Sequence, residues 1–81
     1  MIINVHFYCS RIVGKAREGE YEVPEGADIA AVMQAAADEN GTFIEDYMKY
    51  LTFVRNSKAA PADTVLSDGD RLTVLMQAYG G

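Results

Sequence analysis

The stretch Ser67-Asp68-Gly69-Asp70-Arg71-Leu72-Thr73-Val74-Leu75-Met76-Gln77-Ala78-Tyr79-Gly80-Gly81 decides the fold. Its first four residues read as a turn, because aspartate bonds back to its own backbone and glycine accepts positive φ. A strand follows over Arg71–Gln77. Leu72, Val74 and Met76 point inward, and Arg71, Thr73, Leu75 and Gln77 point outward. Ile2 to Cys9 repeats that period of two: Ile3, Val5, Phe7 and Cys9 share one face, and Ile2, Asn4, His6 and Tyr8 share the other. Both strands carry dense apolar alternation, which predicts that they lie side by side at the centre of a sheet.

Working inward from these two strands, Gly14 marks a turn in the basic stretch Arg11–Arg17. A second strand is expected over Glu20–Val23, with Tyr21 and Val23 inward, and Pro24 and Gly26 stop it. Asp28 is a good N-cap. Behind it Ile29, Val32, Met33 and Ala36 recur at i, i+3, i+4 and i+7, the stripe of an amphipathic helix, with Gly41 expected to close it. Thr42-Phe43-Ile44-Glu45 has capping-box spacing and predicts a short second helix leading into a strand at Leu51–Arg55. Asn56-Ser57-Lys58 reads as a turn, and Ala60 to Leu66 as irregular chain with room for one short strand. The expected class is α+β: a mixed four- to five-stranded sheet with one main helix and a short second helix, the β-grasp arrangement.

Composition narrows the function. Eighty-one residues allow one domain with a modest core and little depth for a substrate cavity. Seven basic against twelve acidic side chains give a net charge of −5. With no Lys/Arg cluster, that argues against nucleic acid and against an anionic membrane surface, and it points to basic protein partners. Cys9 has no second cysteine to pair with. No signal peptide is visible at Met1-Ile2-Ile3-Asn4-Val5-His6, and the apolar run Ile29–Met33 is far too short to span a membrane. The expectation is a cytoplasmic protein.

Few residues offer chemistry of their own. His6 and Cys9 lie three apart on one strand and therefore on opposite faces, so they do not form a nucleophile–base pair. One cysteine and one histidine cannot supply a zinc or iron–sulfur shell, and no metal site is expected. Asp68-Gly69-Asp70 lacks the other ligands of a calcium loop and is a turn. Glu18, Glu20, Glu22 and Glu25 read as a solvated strand face and its exit. The terminal Gly80-Gly81 remains. By chance it ends roughly 0.5% of sequences. By itself it reads as a frayed terminus. Following an apolar strand after only Ala78 and Tyr79, however, two residues without Cβ atoms could thread a narrow tunnel and deliver the Gly81 carboxylate. A carboxylate needs activation, and with no nucleotide site here the activation must come from another protein.

On these residues the chain resembles the sulfur-carrier family, whose main members are the small subunit of molybdopterin synthase (MoaD type) and the thiamine sulfur carrier (ThiS type). The resemblance spans essentially the whole chain. It rests on the Ser67-Asp68-Gly69-Asp70 turn, the apolar last strand, the diglycine and Val23-Pro24-Glu25-Gly26 at the helix entry. It also rests on Val54-Arg55-Asn56, Asp63-Thr64-Val65-Leu66, and Phe7-Tyr8-Cys9-Ser10-Arg11 with Gly14, which is similar to the F-x-x-x-R…G pattern of the molybdopterin branch.

The resemblance implies a ubiquitin-like β-grasp body over 1–77 and a flexible diglycine tail over 78–81. It implies a non-catalytic carrier that binds no cofactor. An E1-like adenylating enzyme would activate Gly81 with ATP, and a sulfur donor would replace AMP to leave a thiocarboxylate. Sulfur would then pass to a precursor held by a molybdopterin synthase large subunit or, alternatively, by a thiazole synthase. Ala78, Tyr79 and Gly80 would form the tail that enters the partner. Phe7 and Leu75 would be the apolar contact patch, although Phe7 alternates with Val5 and reads equally well as core. The tail departs from the molybdopterin type, which carries an aromatic residue and Pro-Pro where this chain has Leu75, Met76 and Gln77, and Gln77 is reminiscent of thiamine-type tails. Alternatives from other classes are a ubiquitin-like modifier joined through Gly81 to lysines, and an interaction module whose tail is incidental.

Overall fold

A computed structural model describes residues 1–8, 18–40 and 50–76. Strand β1, Ile2–Phe7, buries Ile3, Val5 and Phe7 on one face and exposes Asn4 and His6 on the other. It pairs antiparallel with β2, Gly19–Glu22, through the register Ile3↔Tyr21 and Val5↔Gly19. β2 begins one residue earlier than its alternation suggested and ends at Glu22. Val23 still sits in the core, and its N–H bonds the Met1 carbonyl at 2.9 Å.

Helix α1, Ile29–Asn40, starts where the N-cap pattern placed it. An isolated helix leaves its first N–H groups without partners. Here Asp28 Oδ1 accepts the Ala31 N–H at 2.8 Å. The carbonyls of Thr64 and Ala62 accept the Ile29 and Ala30 N–H groups at 3.1 and 2.9 Å. The chain after β4 is thereby stitched to the helix, with the Leu66 N–H returning to the Ala27 carbonyl and an isolated bridge between Asp28 and Val65. The stripe Ile29, Val32, Met33 and Ala36 is fully buried, and Ala37 joins it.

Strands β3, Leu51–Arg55, and β4, Lys58–Ala60, form a hairpin whose two loop residues, Asn56 and Ser57, both have positive φ (48° and 73°). That is the twist-matched two-residue connection. The irregular stretch expected from Ala60 therefore begins after a three-residue edge strand that starts at Lys58. Strand β5, Arg71–Met76, completes a sheet of order β2-β1-β5-β3-β4. β5 runs parallel to β1 through Val5↔Leu72 and Phe7↔Val74, and antiparallel to β3 through Phe53↔Val74 and Arg55↔Leu72. The first and last strands are thus adjacent in the sheet interior.

Among the described residues one helix is present, and it shares a single hydrophobic cluster with one face of the sheet. Ile3, Ile29, Val32, Met33, Leu72 and Val74 are fully buried there. Burial of each is worth about 1.5–3 kcal/mol. The expected second helix, Gly41 and Cys9 lie outside the described residues. No helix among the described residues is long and apolar enough to cross a membrane.

Candidate functional site

Because β5 is a central strand, both of its ends are held, and the start is held most tightly. The Ser67 carbonyl accepts the Asp70 N–H at 3.0 Å, which places Gly69 at the third position of the turn with φ of 85°, a region glycine favours. Asp68 Oδ1 accepts the Ile2 N–H, and the Ile2 carbonyl accepts the Gly69 N–H at 2.7 Å.

Asp70 is the one buried charged residue described, 7% exposed. Its Oδ2 accepts from Arg55 Nε and from the Ser67 N–H, both at 2.7 Å, and its Oδ1 accepts from Asn56 Nδ2 at 2.9 Å. Asn56 Oδ1 in turn accepts the Arg71 N–H. Burial by itself raises the Asp70 pKa. The hydrogen bonds from Ser67, Asn56 and Arg55, with the Arg55 charge, outweigh burial and hold the carboxyl below its ordinary value. In the sequence this aspartate is legible only as a turn residue. Its partner Arg55 lies fifteen positions away and arrives through the β3–β5 register, so no local signal announces it.

At the other end, the Tyr8 N–H bonds the Val74 carbonyl at 2.8 Å, extending the β1–β5 pairing one residue past β1. Among the described residues no element covers the sheet face away from α1, which is open here. Leu75 lies on it, half-buried, with Arg71 and Thr73 on the same strand and Thr52 opposite. Tyr8 and His6 stand beside them from β1. Their rings meet edge to face with centroids 4.4 Å apart, and His6 Nδ1 lies 3.5 Å from Glu18 Oε2. Glu18 Oε1 accepts the Phe7 N–H at 2.9 Å, so this carboxylate is tied into the sheet and is more than a solvated residue. His6, Tyr8 and Glu18, with Asn4, Arg71 and Thr73, line a shallow depression of about 530 Å³.

Phe7, expected at the contact patch, is a core residue. It is 7% exposed and packs with Ile3, Val5 and Val74, because its odd position in β1 sends it toward the helix. The exposed aromatic at this end of β1 is Tyr8. Leu75 is on the open face, as its alternation indicated. Ala78, Tyr79, Gly80 and Gly81 lie outside the described residues. Among the described residues no group of three or more His, Cys, Asp or Glu side chains stands together to hold a metal ion.

No protein-family model and no curated protein matches this sequence. Solved structures do. SAMP1 from Haloferax volcanii superposes with a TM-score of 0.79 over 100% of both chains at 16% identity. Urm1 from Trypanosoma brucei gives 0.71, covering 99% of this chain and 95% of its own, at 22% identity. A chain from the complex of subunits 1 and 2 of the molybdopterin-converting factor from Helicobacter pylori gives 0.58 over 100% of both chains at 20% identity. The protein therefore has the ubiquitin-like β-grasp fold of the MoaD/ThiS-type proteins, with β5 in the sheet interior and its open face next to the point where the chain continues toward Gly80-Gly81.

Proposed function

We propose that this chain is a cytoplasmic sulfur carrier whose reactive atom is the terminal carbon of Gly81. An E1-like enzyme joins the Gly81 carboxylate to AMP, releasing pyrophosphate from ATP. A sulfur donor then displaces AMP and leaves a thiocarboxylate. The anionic sulfur adds to an electrophilic carbon of a cofactor precursor held by a second partner, and water then cleaves the acyl–sulfur bond, leaving sulfur on the precursor and the carrier as carboxylate. The chain binds no cofactor and supplies neither general acid nor base. Its contribution is positional: a rigid body orients a short nucleophilic tail.

The observation that carries this reading is that the sequence reaches Gly80-Gly81 only four residues after β5, a strand held in the sheet interior and locked at its origin by Asp70. Body and tail divide at Gln77 and Ala78, and Ala78, Tyr79 and Gly80 are the segment that enters a partner. The acceptor pathway we favour is molybdopterin synthesis with a large synthase subunit. The Phe7–Arg11 pattern supports it, as does the likeness to a subunit known in complex with its second subunit. Leu75 is the apolar contact on the open face.

The test is intact-mass analysis after co-expression with the activating enzyme. A single oxygen-to-sulfur exchange at the C-terminus is expected, and deletion of Gly81 should abolish it while leaving the circular dichroism melt unchanged. Lysine-linked adducts without that exchange would instead make the chain a modifier, and retained sulfur transfer by the truncation would refute any role for the tail.

A further inference from the structure

Tyr8 is 65% exposed, and its backbone N–H bonds the Val74 carbonyl, which places its Cα at the end of the β1–β5 pairing. His6 buttresses one edge of that ring. Glu18 sits behind His6, anchored by the Phe7 N–H and still half-exposed. An exposed aromatic ring and a hydrogen-bonded carboxylate therefore share one side of the open face, and neither contributes to the core.

We propose that Tyr8, His6 and Glu18 form a seat for an arginine side chain of the protein that activates the tail, with the guanidinium lying on the Tyr8 ring and its N–H groups directed to Glu18. The inference rests on the carrier reading above, and three observations support it. The first is reach. Residues 77–81 span at most about 18 Å when fully extended. A protein holding Gly81 must therefore bring its surface over the end of β5, where Tyr8 pairs with Val74.

The second is charge. Glu20 and Glu22 are exposed on the flanking strand, and the chain carries −5 overall, so the complementary surface is basic. Among the described residues Arg71 is the cation on this face, and it lines the same depression; its backbone pairs with Asn4, about 13 Å along the strand from Tyr8, which leaves the Tyr8 end for a second guanidinium. The third is the chemistry of the pair. A planar guanidinium stacks on an aromatic face while its edge donates to a carboxylate. An apolar side chain placed there would strip water from Glu18 and His6 without replacing it.

Steady-state adenylation by the E1-like enzyme of the same genome, followed as pyrophosphate release, tests the proposal. Tyr8→Leu keeps an apolar surface and should raise KM for the carrier about two- to fivefold at unchanged kcat. Tyr8→Phe should behave as the parent. Glu18→Gln keeps an acceptor for the Phe7 N–H, and it should raise KM by a similar factor and flatten its salt dependence. Wild-type KM in both Tyr8→Leu and Glu18→Gln would overturn the seat while leaving the carrier role intact.

If the parent protein is not adenylated at all, the carrier reading fails, and the seat is still tested by titrating the protein with arginine amide while following backbone amide resonances. Arginine amide should perturb Tyr8, His6 and Glu18, and Glu18→Gln should remove the effect. Equal perturbation by norleucine amide, or none by arginine amide, would overturn it.

Discussion

Replacing Asp70 by alanine tests how the origin of β5 is held. The carboxylate accepts three hydrogen bonds, one of them from a guanidinium. Breaking a buried, hydrogen-bonded ion pair from one side costs about 3–5 kcal/mol. Arg55 keeps 33% of its side chain exposed and can be rehydrated, which lowers its share. The Ser67 N–H and the Asn56 amide lose a charged acceptor as well, and we expect a loss of about 3 kcal/mol for Asp70→Ala. Asp70→Asn retains an acceptor but turns an amide N–H₂ toward donors, and about 2 kcal/mol is expected. Against a total stability of roughly 5–10 kcal/mol, both variants remain measurable.

Urea unfolding followed by far-ultraviolet circular dichroism reads the change. With a slope of about 1 kcal/mol per molar, the midpoint of Asp70→Ala should fall by about 3 M. The pH dependence adds a second condition. The folded pKa of Asp70 is lowered from 3.8, so its stabilisation is present above that value and is lost as pH falls through the folded pKa. The gap between parent and Asp70→Ala should be full near neutral pH and close in acid. A loss under about 1 kcal/mol, or a gap that persists unchanged into acid, would refute the argument.

Two further perturbations separate core from surface and turn from strand. Phe7→Ala should cost about 3–4 kcal/mol, read as a lowered urea midpoint, because it empties a core position. A Leu75→Ala variant, on the open face, should unfold within about 1 kcal/mol of the parent, so only this one is suited to measuring partner contact. Ser57→Gly should raise stability by about 0.5–1 kcal/mol, since Ser57 sits at φ of 73° in a hairpin that favours Asn-Gly. An unchanged thermal melt would show that the turn carries no strain.

Particular elements show which parts of the fold were legible in advance. The strands at both ends, the Asp28 cap and the Ile29–Ala36 stripe were readable because each signal is local, a period of two or of 3.6 within a dozen residues. The sequence reads Asn56-Ser57-Lys58 as a turn and allows a short strand only within Ala60 to Leu66, whereas β4 covers Lys58–Ala60. Lys58-Ala59-Ala60 has no alternation and is strand only because β3 lies beside it. Phe7 was the ambiguous residue at the site: alternation gave its parity correctly, while resemblance placed it on the contact patch, and packing decided for the core. Tyr8 carried no sequence mark of its own, since any outward residue of that strand would read the same.

The amino-acid sequence by itself determined the order of elements, the apolar faces and the diglycine on which the proposed carrier role rests, because these depend on neighbours along the chain. Tertiary structure alone decided that Asp70 meets Arg55, that Glu18 holds the Phe7 amide, and that Tyr8 stands exposed where β5 heads toward its tail. Those contacts join residues eleven to sixty-six positions apart, and they exist only once sheet register has set which side chains face each other.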